Sequence, residues 1–160
     1  MSKTSKLPTA CLFALVLATA VASPALAQAE RKITVRFAAT VGTEPFACGK
    51  SYDGIGATGS RVTPSDFRFY VSDVELIDAS GKSVPLKLEQ DERWQHQNVA
   101  LLDFENRSGP CLTGTQETRD VVTGTVPAGN YRGLRFTLGV PFALNHADAT
   151  IAPSPLNLTS

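Results

Sequence analysis

The sequence predicts an all-β domain: an antiparallel β-sandwich with one disulfide, incomplete at its carboxyl end. Three observations point there. Beyond residue 27 the apolar positions recur with period two and not with the 3.6 of a helix. Clusters of Gly, Pro, Asn and Ser cut the chain into short apolar runs joined by turns. Two cysteines, Cys48 and Cys111, stand in that region, a pair suited to covalent closure in an oxidising compartment.

Residues 1–27 read as a secretory signal peptide. Lys3 and Lys6 form the positive region, and an apolar core runs from about Leu12 to Ala22. Ser23-Pro24-Ala25-Leu26-Ala27 ends in the small-x-small pattern of a cleavage site. The core is too short for a stable transmembrane helix. Cys11 precedes it, so it is not placed as a lipid-anchor cysteine and would leave with the signal. No second long apolar run follows, so no integral membrane segment is expected after cleavage.

Removing 27 of the 160 residues leaves 133, from residue 28 to 160, enough for one ordinary domain. That part carries 13 basic and 15 acidic residues, a formal charge near −2, which gives no reason to expect nucleic acid or an anionic membrane as a partner. Closing the loop of about sixty residues between Cys48 and Cys111 would remove roughly 4 kcal/mol of unfolded-state entropy.

The elements follow in order. Ile33, Val35, Phe37 and Ala39 alternate with Thr34, Arg36 and Ala38, a half-buried first strand near 32–40. Residues 41–63, rich in glycine and polar groups, read as a long ordered loop holding Cys48. Phe67, Phe69 and Val71 alternate, the phase slips at Ser72-Asp73, and Val74 and Leu76 resume it. That slip predicts a bulge, or a strand covered on both faces, within 66–78. Ala79-Ser80-Gly81-Lys82 is a turn into a short partner strand at 84–88, and 98–104 is a compact apolar strand. Strands at 120–126 and 131–140 flank Pro127-Ala128-Gly129-Asn130, read as a hairpin turn, with Val122, Val126, Leu134, Phe136, Leu138 and Val140 on one core-facing side. No helix longer than two turns is expected after residue 28. Residues 152–160 read as an approach to a further element, which suggests a piece of a longer domain.

Familiar catalytic motifs fail on context. Gly54-Ile55-Gly56-Ala57-Thr58-Gly59 matches the dinucleotide fingerprint, but no apolar strand precedes it and Pro64 follows where a helix should begin. Gly49-Lys50-Ser51 lacks the first glycine of a phosphate loop, because position 44 is Glu44. No nucleophile elbow or His-Glu-x-x-His is present. Two histidines, His96 and His146, are too few for most hydrolase arrangements. A blue-copper centre needs a free cysteine and usually a late methionine, and the one Met is the initiator. An enzyme is therefore not expected.

What survives is Trp94-Gln95-His96 with Asn145-His146-Ala147-Asp148. In extended backbone, residues 94 and 96 point to one side, roughly 6.5 to 7 Å apart. Two imidazoles beside an aromatic ring, with no acid cluster, suit copper or zinc better than calcium or magnesium. By residue type alone a single Trp is more often core, and two histidines fifty residues apart are more often unrelated surface groups.

Several ordered blocks resemble one family, MbnP, the four-cysteine members of the bacterial "metallo-mystery pair". They are Pro45-Phe46-Ala47-Cys48-Gly49 with Tyr52, Gly54, Ile55 and Gly56, then Asp66-Phe67-Arg68-Phe69-Tyr70-Val71-Ser72. Trp94-Gln95, the run 99–105, Gly109-Pro110-Cys111 and Gly114-Thr115 continue the likeness. The longest stretch is 133–142, followed by Leu144-Asn145-His146 and Pro153-Ser154-Pro155-Leu156-Asn157.

The resemblance implies an exported, non-enzymatic copper binder of the bacterial cell envelope, periplasmic or secreted. Its implied partner is a di-haem cytochrome c peroxidase/MauG-like protein, MbnH, which oxidises a tryptophan to kynurenine. Similarity to copper proteins with a Trp-x-His element suggests Trp94 as the modified residue, open to that partner at the sheet edge, with His96 and His146 as copper ligands. Kynurenine formation would replace an indole N–H donor by an aryl amine, a neutral nitrogen donor. The family pattern has four cysteines and further strands after the Pro-Ser-Pro-Leu-Asn block, where this sequence has two cysteines after the signal. The alternative is a disulfide-stapled structural or adhesive β-sandwich without metal.

Overall fold

The computed structural model describes residues 29–158; the signal-peptide reading of residues 1–27 lies outside them. The chain runs β1 (Glu30–Arg36), β2 (Thr40–Val41), β3 (Glu44–Pro45), β4 (Tyr52–Ile55), β5 (Ser60–Val62) and β6 (Arg68–Asp78). It continues through β7 (Ser83–Pro85), β8 (Lys87–Leu88), β9 (Gln95–His96), β10 (Val99–Asp103), β11 (Val121–Pro127) and β12 (Tyr131–Leu138). One turn of helix, α1 (Phe142–Asn145), follows.

Two antiparallel sheets make the sandwich. One has the order β1-β11-β8, and the other β12-β6-β10-β9 with β7 also paired to β6. Residues paired across antiparallel strands share a face, and this rule places the core. Val35 faces Val122, and Ala100 and Leu102 face Val71 and Phe69. Val71, Val74, Leu76, Leu86, Leu88, Ala100, Leu102, Val122 and Val126 form the buried cluster, with Ile33, Val35, Phe37, Phe69 and Phe104 packed on it.

The slip in β6 is a bulge. Asp73 adopts a φ of 50°, its N–H donates to the Asn98 carbonyl (3.1 Å), and its carboxylate accepts from the Asn98 amide (2.5 Å). Three residues of β6 there match two steps of β12, so the apolar face passes from odd to even numbers without leaving the core.

Three expectations change. The loop 41–63 holds two small hairpins, β2 with β3 and β4 with β5. The 84–88 strand divides into β7 and β8, which join different sheets; between them Leu86 is buried and its N–H donates to the Val74 carbonyl at 2.8 Å. The turn at 127–130 is not a hairpin. It is an arch from β11 in one sheet to β12 in the other.

β12 also corrects the shared core face. Val122 and Val126 are buried, but Leu134, Phe136 and Leu138 are 41%, 39% and 70% exposed. Leu134 and Leu138 face the same side as the buried Leu76 and Val71. They nevertheless lie beyond the cover of the three-stranded sheet, so period and burial part company there.

Candidate functional site

Trp94, Gln95 and His96 owe their arrangement to one loop. Asp91 Oδ1 accepts the backbone N–H groups of Arg93 (3.1 Å), Trp94 (2.7 Å) and Gln95 (2.8 Å), an Asx-type nest that turns the chain into β9. Asp91 Oδ2 meets Arg119 at 3.3 Å. Gln95 is 1% exposed and crosses to the other sheet. Its amide donates to the carbonyls of Glu89 (2.6 Å) and Thr123 (2.9 Å) and accepts the Thr123 N–H (2.8 Å). A side chain thus completes a backbone ladder. With Gln95 turned inward, the alternation of β9 sets His96 toward the outer side.

Two residues, Gln97 and Asn98, close β9 onto β10. Gln97 has a φ of 52°, and its N–H donates to Gln90 Oε1 at 2.6 Å. The Leu101 N–H donates to the Trp94 carbonyl at 2.8 Å.

The segment 141–158 folds over this outer face. Tyr70, paired with Leu101, donates its hydroxyl to the carbonyls of Pro155 (2.6 Å) and Leu158 (3.2 Å). The Ser154 hydroxyl donates to the Arg93 carbonyl at 3.0 Å. Trp94 is 8% exposed, and the Arg93 guanidinium lies 5.1 Å from its ring centroid. The indole is therefore covered, not open at the edge. Contact alone does not give a partner access to it.

The histidines differ. His96 is half-buried, with its Nε2 3.1 Å from the Gln97 side-chain nitrogen. An amide nitrogen only donates, so this ring nitrogen accepts and holds a lone pair. His146 is exposed, stacks on Phe142 with centroids 3.8 Å apart, and has its Nδ1 2.9 Å from the Phe142 carbonyl. A carbonyl only accepts, so Nδ1 carries a hydrogen and Nε2 is the nitrogen left for a metal in the neutral ring.

As donors these two rings fit copper. Neither ring meets the other in a hydrogen bond or ring contact among the described residues. No third His, Cys, Asp or Glu completes a three-ligand group with them there.

A different cluster meets that criterion. Ligand atoms of Cys48, Glu105 and Cys111 lie within 4.8 Å of one another. The two sulfurs are bonded to each other, with Cα atoms 5.9 Å apart, so no thiolate remains to bind an ion. This is the disulfide the cysteine pair implied. Tyr52, 2% exposed, shapes its loop: the hydroxyl donates to the Pro45 carbonyl (2.7 Å) and accepts the Ala47 N–H (2.8 Å). Glu105 is fully buried and accepts the Arg107 N–H at 2.8 Å. Burial pushes the neighbouring Asp103 carboxyl up from 3.8 to about 6, with the nearby Glu105 charge adding to the rise.

The sequence singled out Trp94, His96 and His146 but not Asp91, Arg93 or Gln95. Only the alternation that turns residue 95 inward hinted at the last.

Among the described residues no helix is long and apolar enough to cross a membrane. The family model described as MbnP matches residues 30–160. The solved structure of MbnP from Methylosinus trichosporium is similar at 33% identity with a TM-score of 0.68, over 81% of this chain and 48% of that one. The chain therefore spans about half the length of that relative. No curated protein matches it.

Proposed function

We propose, from the premise that this chain belongs to the MbnP family, that it is an exported, non-catalytic copper-binding protein. In this reading the site matures when a di-haem partner of the MbnH type oxidises Trp94 to kynurenine. What supports it is the hold on the chain at this point: Asp91 accepts the Trp94 and Gln95 N–H groups, and Gln95, turned inward, fixes the start of the strand that carries His96. Among the described residues, no His, Cys, Asp or Glu forms a three-ligand group with either histidine. In this reading the aryl amine that opening the indole ring creates would serve as a further nitrogen donor.

Copper supplies a Lewis-acidic centre that imidazole and amine nitrogens can hold. The chain's own residues do the rest. Asp91 and Gln95 fix the direction of residues 94 and 96, the Phe142 carbonyl selects the His146 tautomer, and the tail tied through Ser154 keeps water off the indole. Because the indole is covered, the oxidising equivalents reach it through intervening atoms. The disulfide suits an oxidising, extracytoplasmic compartment.

Co-expression with the di-haem partner should raise the mass at Trp94 by about 4 Da, one oxygen gained and one carbon lost. His96→Ala or His146→Ala should weaken copper binding at least about tenfold. Trp94→Phe should abolish the mass change and weaken binding as well. Undiminished binding in Trp94→Phe would defeat the kynurenine role, and undiminished binding in the double histidine variant would defeat the site.

A further inference from the structure

We propose that Arg93 and Glu117 together set how readily the Trp94 indole gives up an electron, the guanidinium holding oxidation back and the carboxylate partly relieving it. The inference rests on Trp94 being the residue oxidised, and concerns the control of that step.

The Arg93 guanidinium lies over the indole at 5.1 Å and forms an ion pair with Glu117. Its backbone is held at both ends, by Asp91 on the N–H and by Ser154 on the carbonyl. The geometry is thus anchored, although half of the side chain is exposed. A cation over a neutral indole is attracted by the negative ring face. Removing one electron reverses that interaction, because the ring now carries a positive charge next to another. At about 5 Å, even with the permittivity of a protein surface, the repulsion is large enough to matter by roughly tenfold or more in an equilibrium constant. Glu117, ion-paired with the same guanidinium, cancels part of it. The pair therefore keeps a covered indole reduced in an oxidising compartment until a sufficiently strong oxidant is coupled to it.

The elementary step balances simply. One electron leaves the indole π system for an outer-sphere oxidant, ruthenium(III) tris-bipyridine, which becomes ruthenium(II). The indole N–H proton passes to buffer and a neutral indolyl radical remains. Trp94 is the one tryptophan of the chain, so the transient absorption of that radical reports on this site alone.

The test uses the whole chain, without copper or the di-haem protein, and flash-generated oxidant at high ionic strength so that long-range steering is screened. Arg93→Met keeps the length of the cover and removes the charge, and should speed radical formation about tenfold. Glu117→Gln leaves the guanidinium uncompensated and should slow it several-fold. Arg61→Met removes an exposed cation of the β4–β5 hairpin, paired there with Asp53, and should leave the rate unchanged, which controls for net charge. Acrylamide quenching of Trp94 fluorescence should match in all four proteins, showing equal cover. Equal rates in Arg93→Met, Glu117→Gln and the parent would overturn the proposal, as would acceleration in both variants. If the di-haem partner leaves Trp94 unmodified, the function proposed above fails while these rates still decide the electrostatic control.

Discussion

At the scale of single residues, the site is built by side chains that imitate backbone. Asp91 caps three successive N–H groups and Gln95 pairs with both polar groups of Thr123. Residues 94 and 96 therefore have no freedom to exchange faces. Asp103 shows the opposite balance, a carboxyl held at a cost. An unfolded Asp103 loses its proton near pH 4, the folded one near pH 6. Between the two, the folded chain binds the additional proton, so stability falls as pH rises and the loss is complete above about pH 6. Asp103→Asn keeps an acceptor for the Glu105 N–H and removes the buried charge. It should stabilise the protein by up to about 3 kcal/mol at pH 7 and by well under 1 kcal/mol at pH 4. Urea midpoints at the two pH values measure this, and an equal shift at both would contradict it. The Trp94-x-His96 spacing stands out in the sequence because residues two apart share a face in an extended strand. Arg93 was not: a charged residue at a loop end looks the same whether it faces solvent or a ring.

At the scale of elements, local signals served where the partner strand was close in sequence and misled where it was not. The β6 bulge announced itself as a phase slip because the strand keeps its apolar face on the core across the extra residue, through Val71, Val74 and Leu76. The 127–130 turn carries the residues of a hairpin, yet its flanking strands belong to different sheets, and turn chemistry alone does not separate a hairpin from an arch. β12 alternates like a core strand, but its exposure depends on how many strands stand opposite, which no local pattern encodes. One glycine makes the inter-strand geometry testable. Gly124 pairs with Leu88, and a Cβ there would lie 2.4 Å from the Lys87 carbonyl oxygen and 2.9 Å from Leu86 Cγ. Backbone cannot step aside as a flexible side chain can. Gly124→Ala should therefore force β8 from β11 and cost about 2 kcal/mol or more. Gly81→Ser is the contrast: its φ of 87° strains a side chain, but nothing lies within 4 Å, so it should cost less. A thermal midpoint unmoved by Gly124→Ala would show that β8 is not held where the register puts it.

At the scale of the whole molecule, the sandwich is unevenly supported. Its core lies under the three-stranded sheet, while the disulfide ties two long connections, 46–51 and 104–120, that carry little regular structure. The bond spans 63 residues, so on the chain-entropy account its loss should cost about 4 kcal/mol. That is a large share of the roughly 5 to 15 kcal/mol that holds a domain of this kind together. The local shell argues that the loss is regional first. Gly49, at a φ of 73°, packs against Pro110, where a Cβ would lie 2.9 Å from the ring. At the start of each connection, the Phe67 ring meets Phe46 and Phe104 in tilted contacts at 5.3 and 5.4 Å between centroids. These contacts need the two connections to stay side by side. Reduction by a dithiol, or the Cys48→Ser/Cys111→Ser double variant, should lower the unfolding free energy by about 4 kcal/mol and the denaturant midpoint in proportion. Native-state hydrogen exchange should quicken first across 46–51 and 104–118 while β6 and β10 remain protected. The same connection carries Glu117, so loosening it should also weaken the hold of that carboxylate on Arg93. Radical formation at Trp94 in the reduced protein should then slow toward the Glu117→Gln rate. An unchanged midpoint on reduction would mean that packing alone fixes the connections, and that the disulfide adds covalent closure to a junction already held.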